Sequence, residues 1–277
     1  MKRLTGLALL VGISTPALAV TGFLLDRVAV NTHAAQTFAV LPDGVRFPEG
    51  IALDAGTGNL FVATFDFGPN ENQLLRYDSH GRLEAQKSFG PTPLLGMAIN
   101  DFDGKLYLTN FGTGEVQRVE VGFGADSSVE TVAALPSIGA PMERIEGNPD
   151  GSTDTIVFGA NFSAPNAIAF DSAGTLYVSD SFQGAVFMAS DVDTCTSNCT
   201  LELVVQDPLL ATAGFPPFGA NGLALSPDES TLFVANTGDD RVLAVDLASY
   251  SVSIFAESIN GADGLAPSTA GGRSGRP

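Results

Sequence analysis

One short phrase recurs along this chain at intervals too wide for a local motif, and no other feature limits the possible folds as strongly. Its first copy runs Phe47-Pro48-Glu49-Gly50-Ile51-Ala52-Leu53-Asp54 and continues through Gly58-Asn59-Leu60-Phe61-Val62-Ala63. Ile51 and Leu53 alternate with smaller residues at the two-residue period of a β-strand. Residues 54–59 carry the Asp/Gly/Asn chemistry of a hairpin loop, and Leu60-Phe61-Val62 is strand-like again. The phrase returns at Leu95–Asn100 with Gly104–Leu108, at Asn166–Asp171 with Gly174–Val178, and at Asn221–Ser226 with Ser230–Val234. A fifth copy, Asp263-Gly264-Leu265-Ala266, breaks off.

The opening positions Glu49, Leu95, Asn166, Asn221 and Asp263 lie 46, 71, 55 and 42 residues apart. The shorter intervals match the roughly 40–50 residues of a four-stranded propeller blade. Each full copy supplies two more strand candidates. They are Gln73–Tyr77 and Leu83–Ser88, Glu115–Val121 and Val129–Ala134, Ala185–Ala189 and Leu201–Val205, and Arg241–Asp246 and Ser251–Ala256. The prediction is an all-β chain, a β-propeller of four-stranded antiparallel blades spanning residues 37–266. Thr37–Leu41 reads as a strand able to close the last blade and remove its open edge. Residues 137–163 and 207–219 read as loops on the face of the opening positions. Phe162, Phe215 and Phe218 in these loops either line a substrate pocket or pack the loops onto the disc. Residues 267–277 read as a disordered tail.

Residues 1–19 stand apart as a signal peptide, with basic Lys2-Arg3, an apolar run over 4–13 and the small-residue site Ala17-Leu18-Ala19. The alternative is an uncleaved anchor prolonged through 20–25, against which Pro16 and the Ala-Leu-Ala site argue; residues 20–36 are a lead-in. Export to a periplasmic or extracellular space follows, with no membrane association of the mature chain. Cys195 and Cys199 fit that compartment: four apart in a turn-rich segment, they suit a small disulfide ring, whereas a metal site would need ligands the neighbourhood lacks. The formal charge of −18 excludes nucleic acid as a partner, since phosphate binding needs Lys and Arg to displace counterions.

Rotational symmetry would bring the opening residue of every innermost strand to one mouth of the channel. Glu49, Asn166, Asn221 and Asp263 would meet there as two carboxylates and two amides, an all-oxygen set suited to a hard cation such as Ca²⁺. Leu95 breaks the set and becomes a wall residue. Taken singly, each has an ordinary reading as a turn residue beside Gly or Pro.

The phrases PEG-IALD, PNAIAFD with GTLYVSDS, GANGLALS with LFVANT, and GADGLA resemble the senescence-marker-protein, gluconolactonase and luciferin-regenerating-enzyme (regucalcin-like) family of calcium-dependent lactonases. The resemblance covers residues 37–266 and implies a six-bladed β-propeller, here reaching only the start of the fifth blade. It also implies that Glu49, Asn166, Asn221 and Asp263 hold the metal (Ca²⁺, or alternatively Mg²⁺, Mn²⁺ or Zn²⁺). Asp263 would further serve as general base or nucleophile in lactone hydrolysis, and the partner would be a small-molecule substrate. Arg144 is the one candidate for a substrate-orienting arginine. A non-catalytic, metal-braced binding or sensor propeller is the alternative. A lyase would need His33 or His80 in the channel.

Overall fold

The computed structural model describes residues 36–266. The expectations for the signal peptide, nearly all of the lead-in, and the tail therefore fall outside the described residues. Four sheets of four antiparallel strands carry most of the chain. The first comprises β1 (Pro48–Leu53), β2 (Leu60–Thr64), β3 (Gln73–Tyr77) and β4 (Leu83–Ser88), hydrogen-bonded in that order. The second comprises β5 (Leu94–Ile99), β6 (Lys105–Asn110), β7 (Glu115–Glu120) and β8 (Glu130–Ala134). After a separate hairpin, β9 (Arg144–Gly147) and β10 (Thr153–Ile156), comes the third: β11 (Pro165–Phe170), β12 (Leu176–Asp180), β13 (Ala185–Ala189) and β14 (Glu202–Gln206). The fourth is β15 (Ala220–Leu225), β16 (Thr231–Asn236), β17 (Arg241–Asp246) and β18 (Val252–Glu257).

Each sheet is a meander of sequence neighbours, and each begins with one copy of the repeated phrase. The residue after every first strand ties the turn with its own side chain. Asp54 accepts from the Gly56 N–H at 2.9 Å, Asn100 from the Phe102 N–H at 2.9 Å, Asp171 from the Ala173 N–H at 2.9 Å, and Ser226 from the Thr231 N–H at 3.0 Å.

The first strands stack in sequence: β1 lies against β5, β5 against β11, and β11 against β15. This succession is that of a propeller-like fold. Apolar side chains fill the seams. Phe61, Leu74, Leu94 and Leu106 meet between the first and second sheets, and Tyr107, Val132, Ile168 and Phe187 between the second and third. Tyr177, Val186, Leu223 and Val234 meet between the third and fourth. The second seam also holds a buried cation. Arg118 donates to the Tyr107 hydroxyl at 3.0 Å, to Val192 O at 2.7 Å, to Cys195 O at 3.0 Å and to Glu130 at 2.7 Å. It thereby ties β7 to the loop closed by the Cys195–Cys199 disulfide.

Two expectations need correction. Thr37–Leu41 forms no strand; Ala39 and Leu41 instead pack on Val62, Leu75 and Tyr77, and the Tyr77 hydroxyl donates to Val40 O at 3.3 Å. Apolar contact with the face of the first sheet takes the place of edge pairing. Residues 137–163 are not wholly loop, because β9 and β10 pair across Asn148-Pro149-Asp150-Gly151. There Gly151 N–H donates to Asn148 O and Asn148 N–H to Ser152 O. That tetrapeptide is a strong turn signal, and the flanking residues hid the hairpin because they lack an alternating apolar pattern.

Phe187 is fully buried in the second seam. Phe187→Ala is expected to cost about 3–5 kcal/mol through lost burial and the cavity left behind. The shift of the urea unfolding midpoint measures it.

Candidate functional site

Four strands start with the same irregularity. Pro48 pairs with Thr64, but the register has slipped by one residue when Ile51 pairs with Val62. Identical slips fall between Leu94 and Met97, Pro165 and Ile168, and Ala220 and Leu223. A bulge of this kind adds a residue to one strand and re-aims its side chains. Each contains the opening residue of its copy, so Glu49, Leu95, Asn166 and Asn221 all sit where the ladder is interrupted.

Glycine after the opening residue lets the next copy approach. A Cβ on Gly50 would lie 1.9 Å from Leu95 O, and one on Gly222 would lie 2.1 Å from Asp263 O. Backbone carbonyls of successive copies therefore occupy the space a side chain would need.

Glu49, Asn166, Asn221 and Asp263 line a single cavity of ≈ 170 Å³, with Met97, Ile168 and Leu223 among its apolar walls. Glu49 is half-buried, Asn166 and Asn221 are buried, and Asp263 follows β18 on a coil segment exposed to solvent. Burial, reinforced by the nearby Asp263, pushes Glu49 up to about 7. Partial desolvation of its carboxyl also raises Asp263, with the neighbouring Asn221 side chain working in the opposite direction.

Hydroxyl groups fix the orientation of the two amides. Asn166 Nδ2 donates to Ser181 Oγ at 2.9 Å, and Ser181 Oγ donates its own proton to Ala220 O at 2.7 Å. Asn221 Nδ2 donates to Thr237 Oγ1 at 2.8 Å, which donates to Ala262 O at 2.7 Å. Each hydroxyl has committed its single proton to a carbonyl and can only accept from the amide. Each amide nitrogen is thus anchored on a hydroxyl, and neither Oδ1 takes a hydrogen bond among the described residues. A donor set of two carboxylates and two oriented amide oxygens fits a hard divalent cation. Among the described residues no group of three or more His, Cys, Asp and Glu could hold a metal; half of this set is amide.

Ser181 and Thr237 were not singled out from sequence, although a signal was present. The residue immediately after the second strand reads Phe65, Phe111, Ser181 and Thr237, and a hydroxyl occurs only in the copies that open on Asn.

The other candidates lie elsewhere. Arg144 is on β9, its guanidinium 5.2 Å from the centre of the Phe158 ring, and is not among the cavity-lining residues. Phe162 and Phe218 join a group of phenylalanines, whereas Phe215 is 92 % exposed and takes no part in it. His80 is exposed in the β3–β4 turn, and His33 lies outside the described residues. No described helix is long and apolar enough to cross a membrane.

No protein-family model matches the sequence, and no curated protein matches it. Solved structures do resemble the fold. The periplasmic gluconolactonase PpgL of Pseudomonas aeruginosa aligns with 76% of this chain and 71% of its own at 21% identity and a TM-score of 0.47. Virginiamycin B lyase of Staphylococcus aureus aligns over 76% and 69% at 13% identity and a TM-score of 0.42. A protein from Lactobacillus plantarum aligns over 80% and 57% at 15% identity and a TM-score of 0.47.

The electrostatics of Glu49 give a signed expectation. In the cation-free protein the folded carboxyl keeps its proton up to about pH 7, whereas the ordinary value is 4.5. The folded state therefore binds more protons in this window, and stability falls as pH rises through it, by up to about 3 kcal/mol. Urea titrations in chelator between pH 5 and 8 should show that fall, and Glu49→Gln should remove most of it.

Proposed function

We propose that this chain is an exported hydrolase that opens a lactone or related ester at the mouth of a propeller channel. It would use a divalent cation, Ca²⁺ foremost, held by Glu49, Asn166, Asn221 and Asp263. In this reading the four sheets are consecutive blades of a six-bladed ring. One observation carries the proposal: residues up to 214 positions apart in sequence line one cavity, with both amide nitrogens tied back to hydroxyls. Export draws support from the Cys195–Cys199 disulfide, which belongs in an oxidising compartment.

When bound, the cation supplies Lewis-acid polarisation of the ester carbonyl. Glu49 and Asp263 would balance its charge, and Ser181 and Thr237, by anchoring the amide nitrogens, would leave the Asn166 and Asn221 oxygens available to it. Asp263 is the base. Its carboxylate takes a proton from water as the water oxygen bonds to the carbonyl carbon. The ester C–O bond then breaks, and the same proton passes to the leaving alkoxide. Met97, Ile168 and Leu223 would supply the apolar wall beside the ester carbonyl.

A second reading has its own observation. Among the described residues Glu49 and Asp263 are the only titratable ones lining the cavity, and in this reading both would serve to balance the charge of the cation. A binding module in which the cation braces the channel needs nothing more.

Asp263→Asn separates the two. For the hydrolase it is expected to lower kcat by about 10²–10⁴-fold while Ca²⁺ binding, followed by calorimetry, weakens without disappearing. A wild-type protein that binds Ca²⁺ and hydrolyses no lactone or ester would leave the binding module standing alone.

A further inference from the structure

The mouth of the cavity is chemically divided. On the third and fourth sheets the residue after the second strand is a hydroxyl that positions an asparagine; on the first and second it is Phe65 and Phe111. These rings meet at 5.3 Å and seed a contiguous aromatic group. Phe67 lies 4.8 Å from Phe65, and Phe182 lies 5.8 Å from Phe111. Phe218, three residues before Asn221, stands 6.1 Å from Phe65, 6.2 Å from Phe111 and 5.8 Å from Phe182. Phe162 extends the group from Phe182 at 5.0 Å. Rings from the segments after β2, β6 and β12 and from the segment leading into β15 therefore gather at the end of the sheets that carries the opening residues, next to the residues that line the cavity but not among them. The group is not sealed: Phe67 is 70 % and Phe162 56 % exposed. Contiguous exposed aromatic surface beside a cavity marks a binding face.

The polar side chains beside the rings on the third and fourth sheets are already engaged. Ser181 and Thr237 have given their protons to Ala220 O and Ala262 O. Gln183 spends its amide on Pro136 O, Asp180 and the N–H groups of Ile138 and Gly139. Selecting a polyhydroxylated ring needs free, directed donors and acceptors, and burying its hydroxyls without them costs affinity. Volume points the same way. A cavity of ≈ 170 Å³ is smaller than the roughly 300–1,000 Å³ of pockets that enclose a whole ligand. Anything beyond the reacting ring must lie outside, where the phenylalanines are.

We propose that the ligand of this site carries an apolar acyl chain or aryl group that packs on Phe65, Phe67, Phe111, Phe182 and Phe218 while its ester end enters the oxygen-lined cavity. This rests on the reading of the cavity as an ester-hydrolysing site and names the substrate class: lipophilic lactones rather than sugar lactones.

The test compares δ-valerolactone, δ-decalactone and glucono-δ-lactone in a Ca²⁺-containing acid-release assay with the full chain. The kcat/KM for δ-decalactone should exceed that for δ-valerolactone by about tenfold or more, since each buried methylene favours binding severalfold. Phe111→Ser, which installs the residue type of the third sheet, should lower that ratio by about tenfold. Phe67→Ala, at an exposed position, should lower it severalfold and serves if the first variant does not fold. Glucono-δ-lactone as the preferred substrate, or a ratio unmoved by a folded variant, overturns the inference while leaving the hydrolase intact. If no lactone is turned over, the hydrolase reading falls, and protein labelled with ¹³C-phenylalanine is titrated with δ-decalactone. Saturable shifts of ring signals that Phe67→Ala weakens sustain the apolar site. Absent shifts, or equal shifts with glucono-δ-lactone, overturn it.

Discussion

Hydrogen bonds from the second strand of one sheet to the first strand of the next set the geometry of this molecule. Thr109 Oγ1 donates to Asn166 O at 2.7 Å, and Ser179 Oγ to Asn221 O at 2.7 Å. Ser181 and Thr237 repeat the contact one step further on. Apolar packing draws the sheets together but is indifferent to small sliding, whereas a buried hydroxyl–carbonyl pair is directional and costly to break. These bonds decide where each bulge lies relative to its neighbour. The position of every side chain facing the cavity follows from that.

The two hydroxyls that also accept from asparagine link architecture to chemistry. One oxygen atom registers the seam and orients an amide, so rigidity at the site is inherited from the fold. Such support normally has to be added around a functional group by further residues. Here the supporting contact is already part of the repeat. Where phenylalanine replaces the hydroxyl, the sheet loses that positioning contact and gains an aromatic surface. Glu49 and Leu95, the opening residues of those two copies, accordingly have no such partner among the described residues.

Much of this was legible in the sequence because it repeats. The period-two pattern, the Asx turns and the interval between copies gave four sheets with boundaries within about two residues of those observed, as boundary reading usually allows. The column Glu49, Asn166, Asn221 and Asp263 was legible for the same reason, since rotation converts equal position into proximity. What escaped notice was not periodic. The β9–β10 hairpin has no counterpart in other copies, and Arg144 on it bore no mark of its stacking on Phe158. Thr37–Leu41 has the alternation of a strand, but alternation cannot say whether a backbone finds an edge or a side chain finds a face. The phenylalanine group draws on several loops, and only three-dimensional contact reveals that Phe218 belongs to it while Phe215 does not.

Because each sheet is a meander of consecutive hairpins, its own contacts are local in sequence, and only the seams and the cavity join distant parts of the chain. Local contacts form fast, and those closing long loops come later. The oxygen-lined cavity is therefore the part of the molecule whose completion requires everything else to be in place. An ion that binds only the assembled cavity would favour the finished state over every partly docked arrangement by mass action. Chemistry at the mouth and cohesion of the whole chain would then answer to the same concentration of ion.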